Sequence, residues 1–246
     1  MPNKLYAFIP AAGFGTRMEN LVAETPKPLL PVAGYPMIDF SLYLTHLWQV
    51  QKVFINAHYL KEKIERYLSG IPGLHYTCCP EETILGTAGG IKTCMQNQIR
   101  DDDWILVINP DLLLFPSRDF HPLPLEFSGD ILLYLQKKQP GDLYTSLGLE
   151  NGNVYFNNGD YFYTGLSVIR FQIFQQIEAG IYSDLADIFR KLSQENRLQG
   201  REFPGQVFDA GDKTRYQQNR NLDFRQFVDA QSWRHFRKSL YNDNSG

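Results

Sequence analysis

Short apolar runs alternate with helix-length amphipathic stretches through the first 110 residues, and that alternation admits few architectures. Residues 5–10, 52–56, 74–78 and 104–108 read as strands. Residues 37–50, 60–68 and 89–98 read as helices, the second with Leu60, Ile64, Tyr67 and Leu68 on one face. Strand and helix in turn imply βαβ units. The fold class expected is therefore α/β, a Rossmann-like mixed and mainly parallel sheet with helices on both faces. In such sheets ligands lie beyond the carboxyl ends of the strands. Two chemically distinctive segments fall there: the glycine-rich run 11–17 after the first strand and Asp111 after the fourth.

The second half changes character. Residues 130–136, 146–150, 153–157, 161–169 and 202–208 read as strands, with Asn151-Gly152 as a hairpin turn. Helices are expected over 171–178, 183–196 and 214–240, with Arg234, Arg237 and Lys238 near the end of the last. No repeat or linker interrupts the 246 residues, so one continuous domain is expected.

Charge narrows the partners. Lys plus Arg number 24 and Asp plus Glu 27, a net charge of −3. Nucleic-acid binding is driven by a basic surface, so none is expected, and any anionic ligand must be held by local groups. No signal-peptide pattern and no run of 18 apolar residues occurs, so a cytoplasmic protein with no membrane partner is expected. Cys78, Cys79 and Cys94 lack metal-ligand spacing and are expected as reduced thiols. The five histidines show no ligand spacing either.

Gly13-Phe14-Gly15-Thr16-Arg17 follows a strand. Glycine permits positive φ and close approach of a phosphate to the backbone, and successive N–H groups can cradle an anion. The segment does not end in the Gly-Lys-Ser/Thr of a Walker loop, and Met18 stands where the dinucleotide fingerprint needs a third glycine. By itself it fits a plain turn equally well. Arg17 and Lys27 add two permanent cations, a rigid fork and a mobile point charge. Prolines 26, 28 and 31 fix φ around Lys27 and favour an extended segment.

The continuation Thr25-Pro26-Lys27-Pro28-Leu29-Leu30-Pro31-Val32-Ala33-Gly34, together with the Gly-x-Gly-Thr-Arg loop, resembles the sugar nucleotidyltransferases, or nucleoside-diphosphate-sugar pyrophosphorylases. The pattern is nearest to the short mannose-1-phosphate guanylyltransferase and N-acetylmuramate-1-phosphate uridylyltransferase types. The resemblance implies the nucleotide-diphospho-sugar transferase fold, with a nucleotide-binding half over 1–112, a sugar-binding half over 113–225 and a helical tail over 226–246. It also implies transfer of a nucleotidyl group from a nucleoside triphosphate to a sugar 1-phosphate with Mg²⁺. Arg17 and Lys27 would be catalytic. Ala11, Ala12, Gly13, Gly15, Thr16, Glu81, Gly86 and Thr87 would hold the nucleotide, Asn109, Thr164 and Gly165 the sugar, and Asp111 and Asp209 the metal. A carboxylate is the hard oxygen ligand that Mg²⁺ prefers.

Within that resemblance, small residues at 86–90 would let a base lie flat against the backbone. An ionised Glu81 only accepts hydrogen bonds, and uracil and guanine present ring N–H groups where neutral cytosine does not, so UTP or GTP is favoured. Asp212 reads as the cap of the helix that follows it. Two departures stand out: Pro110 replaces a small residue, and Asn157-Asn158-Gly159-Asp160 stands where many members carry Glu-Lys-Pro. They leave open a non-catalytic sugar-nucleotide-binding homologue, or a transferase for another phosphorylated alcohol such as phosphocholine. Neither the sugar nor the oligomeric state is specified.

Overall fold

The computed structural model describes residues 3–124 and 127–241, so the final residues 242–246 of the expected tail lie outside the described residues. In chain order the elements begin with β1 (Leu5–Pro10), the short strands β2 (Pro31–Val32) and β3 (Tyr35–Pro36), and α1 (Met37–Leu47). Next come β4 (Val53–Ala57), α2 (Lys61–Ser69), β5 (Tyr76–Pro80), α3 (Gly86–Met95), β6 (Trp104–Ile108), β7 (Leu112–Pro116) and β8 (Ile131–Lys137). The chain continues with β9 (Gly148–Glu150), β10 (Asn153–Tyr155), β11 (Tyr161–Arg170), α4 (Leu185–Gln194), β12 (Gln199–Glu202), β13 (Gly205–Asp209), α5 (Lys213–Asn219) and α6 (Ala230–Tyr241). The α/β class read from the alternation is the one found.

The described chain divides into two units of interleaved segments. An amino-terminal unit comprises Ala7–Ile84, Asn109–Phe115 and residues of Gln206–Gly246; a central unit takes Leu85–Ile108 and Pro116–Gly205 together with the start of the chain. In the amino-terminal unit β1, β4 and β5 run parallel, with Ala7 opposite Val53 and Val53 opposite Tyr76. Every residue of β4 is buried, as expected of a strand covered on both faces. β7 pairs with β13 in a separate small sheet. No strand was expected at 112–116, whose pairing partner is remote in sequence. Residues 202–208 do not form one strand: Pro204, which has no N–H to donate, separates β12 from β13.

Helix α6 holds to this unit through Trp233, Phe236 and Leu240. The Trp233 ring meets those of Tyr35, Phe40 and Tyr43. Beside them lies Asp39 of α1, fully buried. Its carboxylate accepts hydrogen bonds from Arg237 (2.9 Å), from the Tyr241 hydroxyl (2.6 Å) and from Tyr67. Burial pushes the Asp39 carboxyl above the usual carboxylate range, against the opposing pull of Tyr241, Tyr67 and Arg237. Asp39→Asn is expected to destabilise the protein by about 3 kcal/mol, since it leaves the partly buried Arg237 without its counter-charge. Urea unfolding at constant slope reads this directly. A loss under about 1 kcal/mol, the range of exposed ion pairs, would contradict a structural role.

In the central unit the strand order is β6-β11-β8-β12-β10-β9. β11 is antiparallel to β6 and β8, while β12 is parallel to β8. Asn151 and Gly152 both take positive φ in the β9–β10 hairpin, as an Asn-Gly turn requires. Helix α4 buries Leu185, Ile188, Phe189 and Leu192 on one stripe, and the Asp184 side chain caps its first turn. The expectation of three reduced thiols holds for Cys78 alone, because Cys79 and Cys94 are each disulfide-bonded. Spacing along a sequence carries no information on which sulfurs are oxidised. No helix among the described residues is long and apolar enough to cross a membrane.

Candidate active site

Strand β1 delivers the glycine-rich loop. Ala11 and Ala12 are buried at its start, and the Ala11 N–H donates to the Asn56 side-chain oxygen at 2.8 Å. That amide is therefore taken, and any anion cradle must come from the residues after it. Around Gly13 the space is open, with no atom within 4 Å of where a Cβ would lie. Gly15 is constrained on two counts. Its φ is 64°, and a Cβ there would stand 3.2 Å from the Lys27 Cβ and 3.3 Å from Val22. Thr16 then opens a 3₁₀ turn, Thr16–Val22, whose Met18 is fully buried. The residue that breaks the dinucleotide fingerprint is thus a core anchor. Thr16 and Arg17 point the other way in burial: both are exposed, and Arg17 makes no ion pair among the described residues.

Lys27 returns to this loop as its prolines lead one to expect. Pro26 is extended, and Lys27 begins a single 3₁₀ turn. Its ammonium donates to Asp111 Oδ2 at 2.5 Å and to the Gly211 carbonyl at 2.7 Å. Asp111 sits in a turn closed by the Leu112 N–H donating to the Asn109 carbonyl at 3.2 Å. Pro110 occupies the second position of that turn, where proline's fixed φ is favoured, so this departure from the family pattern preserves the loop. Asn109 is half-buried in the same turn.

Asp209 ends β13 and is held at both oxygens. Oδ1 accepts from the Gly211 N–H at 2.5 Å and Oδ2 from Arg215 at 2.8 Å. The Ala210 N–H donates to the Asp111 carbonyl at 2.8 Å, tying the two acidic segments together. A Cβ at Gly211 would lie 2.7 Å from Asp209 Oδ1 and 3.4 Å from Asp111 Oδ2, so both carboxylates converge on one glycine. Asp212 caps α5 by accepting from the Arg215 N–H at 2.9 Å, as expected from sequence.

Sequence reasoning missed three participants. Arg215 falls in the segment 214–240 read only as helical, and Gly211 was assigned no role of its own. Asn56 carried a signal that went unused, a lone polar residue near the end of an otherwise apolar strand. It is buried, and its amide donates to Glu81 Oε1 at 2.7 Å. Glu81 is itself buried rather than on a solvated turn.

Four of the residues expected to contact ligand lie in the central unit, and each has a place in its packing. Gly86 takes φ of 69°, and a Cβ there would lie 2.5 Å from the Ser183 carbonyl; one at Gly89 would lie 2.4 Å from the Ile181 carbonyl. The N–H groups of Ala88 and Gly89 both donate to the Ser183 carbonyl. These small residues admit the chain at 181–183, and that carbonyl satisfies two donors of the first turn of α3, close to half-buried Thr87. The Thr164 hydroxyl is fully buried and donates to the Tyr134 carbonyl at 2.8 Å. Gly165 (φ 75°) lies where the β8–β11 register shifts, a bulge that glycine accommodates.

Lys27, Asp111 and Asp209 thus come together beside Gly15, within one unit. The fold around them is that of nucleotide-diphospho-sugar transferases: UDP-glucose pyrophosphorylase, solved with UDP-glucose, superposes with a TM-score of 0.72 at 17% identity over 92% of this chain and all of that one. The chain belongs to the MobA-like NTP transferase domain family, whose model matches residues 7–143. N-acetylmuramate alpha-1-phosphate uridylyltransferase of Neisseria meningitidis serogroup B is 31% identical, covering 83% of this chain and 92% of that protein. The bifunctional protein GlmU of Methanococcus maripaludis is 27% identical over 83% of this chain, which spans about half (51%) of its length.

Proposed function

We propose that this chain transfers a nucleotidyl group from UTP or GTP to a sugar 1-phosphate, giving the nucleoside-diphosphate sugar and pyrophosphate. The observation that carries the reading is Lys27, its ammonium bound to Asp111 and Gly211 and its stem packed against Gly15 of the loop. The reaction joins two anions and needs no protein nucleophile, since a phosphate oxygen attacks the α-phosphorus. What the protein must supply is position and charge neutralisation. Arg17 and the N–H groups after Ala12 are assigned to the departing pyrophosphate, and Lys27 to the α-phosphate or the incoming phosphate.

The acidic pair suits Mg²⁺ as the cofactor. Two carboxylates converge beside Gly211, with no third acidic, His or Cys ligand in a cluster among the described residues. Mg²⁺ favours such a sparse set, because substrate phosphates and water complete its shell. When bound it would offset charge on both phosphates. Lys27 pairs with Asp111, and Arg215 with Asp209 and Asp212.

The test is a matrix of the four ribonucleoside triphosphates against a panel of sugar 1-phosphates, scored by pyrophosphate release. Turnover confined to UTP or GTP with one sugar class is expected. Nucleotide binding without release for any pair would replace the reading with that of a non-catalytic binder. Turnover with phosphocholine alone would move it to another class of acceptor.

A further inference from the structure

Residues 56–59, at and just beyond the end of β4, grip two different parts of the site. Asn56 accepts from the Ala11 N–H at 2.8 Å and donates to Glu81 Oε1 at 2.7 Å. The Glu81 N–H in turn donates to the Ala57 carbonyl at 2.8 Å, and His58 Nδ1 lies 2.9 Å from the Glu81 carbonyl. On the loop side, the exposed Phe14 ring meets His58 edge-on at 5.5 Å and Tyr59 at 5.8 Å. One amide side chain therefore bonds the start of the phosphate loop through its oxygen and the Glu81 carboxylate through its nitrogen.

We infer that Asn56 is a positioning residue that fixes the Glu81 carboxylate against the glycine-rich loop and so sets which nucleobase the enzyme accepts. The inference rests on the transfer reaction proposed above. Asparagine suits the task because it presents one acceptor and two donors on a single short side chain. The bond to Glu81 is charge-assisted and buried, conditions under which a hydrogen bond orients strongly. A carboxylate has about four lone-pair positions, so it can accept from several donors at once, a base N–H beside the Asn56 amide among them.

Exchanging atoms one at a time gives the test. Asn56→Asp keeps an acceptor for Ala11 but removes the donor to Glu81 and sets two carboxylates together. Glu81→Gln keeps an acceptor for Asn56. The double variant Asn56→Asp with Glu81→Gln restores the bond with the donor reversed. In Asn56→Asp the KM for the preferred triphosphate is expected to rise about tenfold or more, with the kcat/KM ratios among UTP, GTP and CTP flattened. The double variant is expected to return KM to about threefold of that of Glu81→Gln alone.

A purely structural Asn56 would instead lower the unfolding temperature and leave the base ratios of the folded enzyme unchanged; that result overturns the inference. So does failure of the double variant to recover. If Asn56→Asp does not fold, Glu81→Gln decides: unchanged base ratios there remove Glu81, and with it Asn56, from base choice. Wild-type protein with no turnover in any pairing sinks the functional reading itself, a result distinct from active wild type with indifferent variants.

Discussion

Arg17→Ala is expected to lower turnover by more than about a hundredfold, the usual cost of one transition-state donor, while leaving the unfolding temperature where it was. Both halves follow from how Arg17 is placed. Its neighbour Met18 is buried and anchors the turn, whereas Arg17 is exposed and makes no ion pair among the described residues. Among the described residues no acidic side chain holds the guanidinium. The leaving pyrophosphate of the proposed reaction would need it, because negative charge builds up on it as the bond to the α-phosphorus breaks. Lysine should recover only part of the loss, since an ammonium lacks the planar fork that matches phosphoryl oxygens. Steady-state rates beside a thermal melt are sufficient. A variant with a near-normal rate would remove Arg17 from the mechanism.

Asp111→Asn should abolish metal-dependent turnover, with a fall of about a hundredfold or more at saturating Mg²⁺, because an amide replaces the anionic ligand at nearly constant volume. The cost to folding should be small. The Asp111 side chain is 22% exposed, and the Lys27 ammonium keeps its second acceptor, the Gly211 carbonyl. Titrating Mg²⁺ against the rate separates a binding defect from a chemical one. A weakened but saturable dependence marks a lost ligand. A variant with the wild-type metal curve would show that Asp111 holds no metal, and would leave it as the counter-ion of Lys27 only.

These residues also show where sequence alone was sufficient. β1 and β6 were legible to the residue because each is a continuous apolar run bounded by polar or small residues. Asp212 was legible as a cap because capping reaches only three positions along the chain. Lys27 was a candidate from its motif, but its partners lie 84 and 184 residues away and no local pattern encodes them.

Other contacts were hidden for the same reason. The Thr164 hydroxyl is fully buried and bonded to the Tyr134 carbonyl. The glycines at 86 and 89 admit the remote chain at 181–183 against the start of α3. They also masked the start of α3, since glycine is a poor helix former and packing overrides it here. Strand β7 was missed because its pairing partner, β13, is remote in sequence.

That remoteness governs how the centre comes into being. Its three charged side chains enter from positions 27, 111 and 209, and the closing bond joins residue 27 to residue 211. Contacts so distant along the chain carry a loop-closure cost before they return anything, and they slow folding relative to local pairings. During synthesis, which runs from the amino terminus, β1, β4 and β5 can pair while Asp209 has yet to be made. The charge partner of Lys27, Asp111, is made well before that point, so what the arrival of residues 206–241 adds is the second acid, Asp209, and the bond from the Lys27 ammonium to the Gly211 carbonyl.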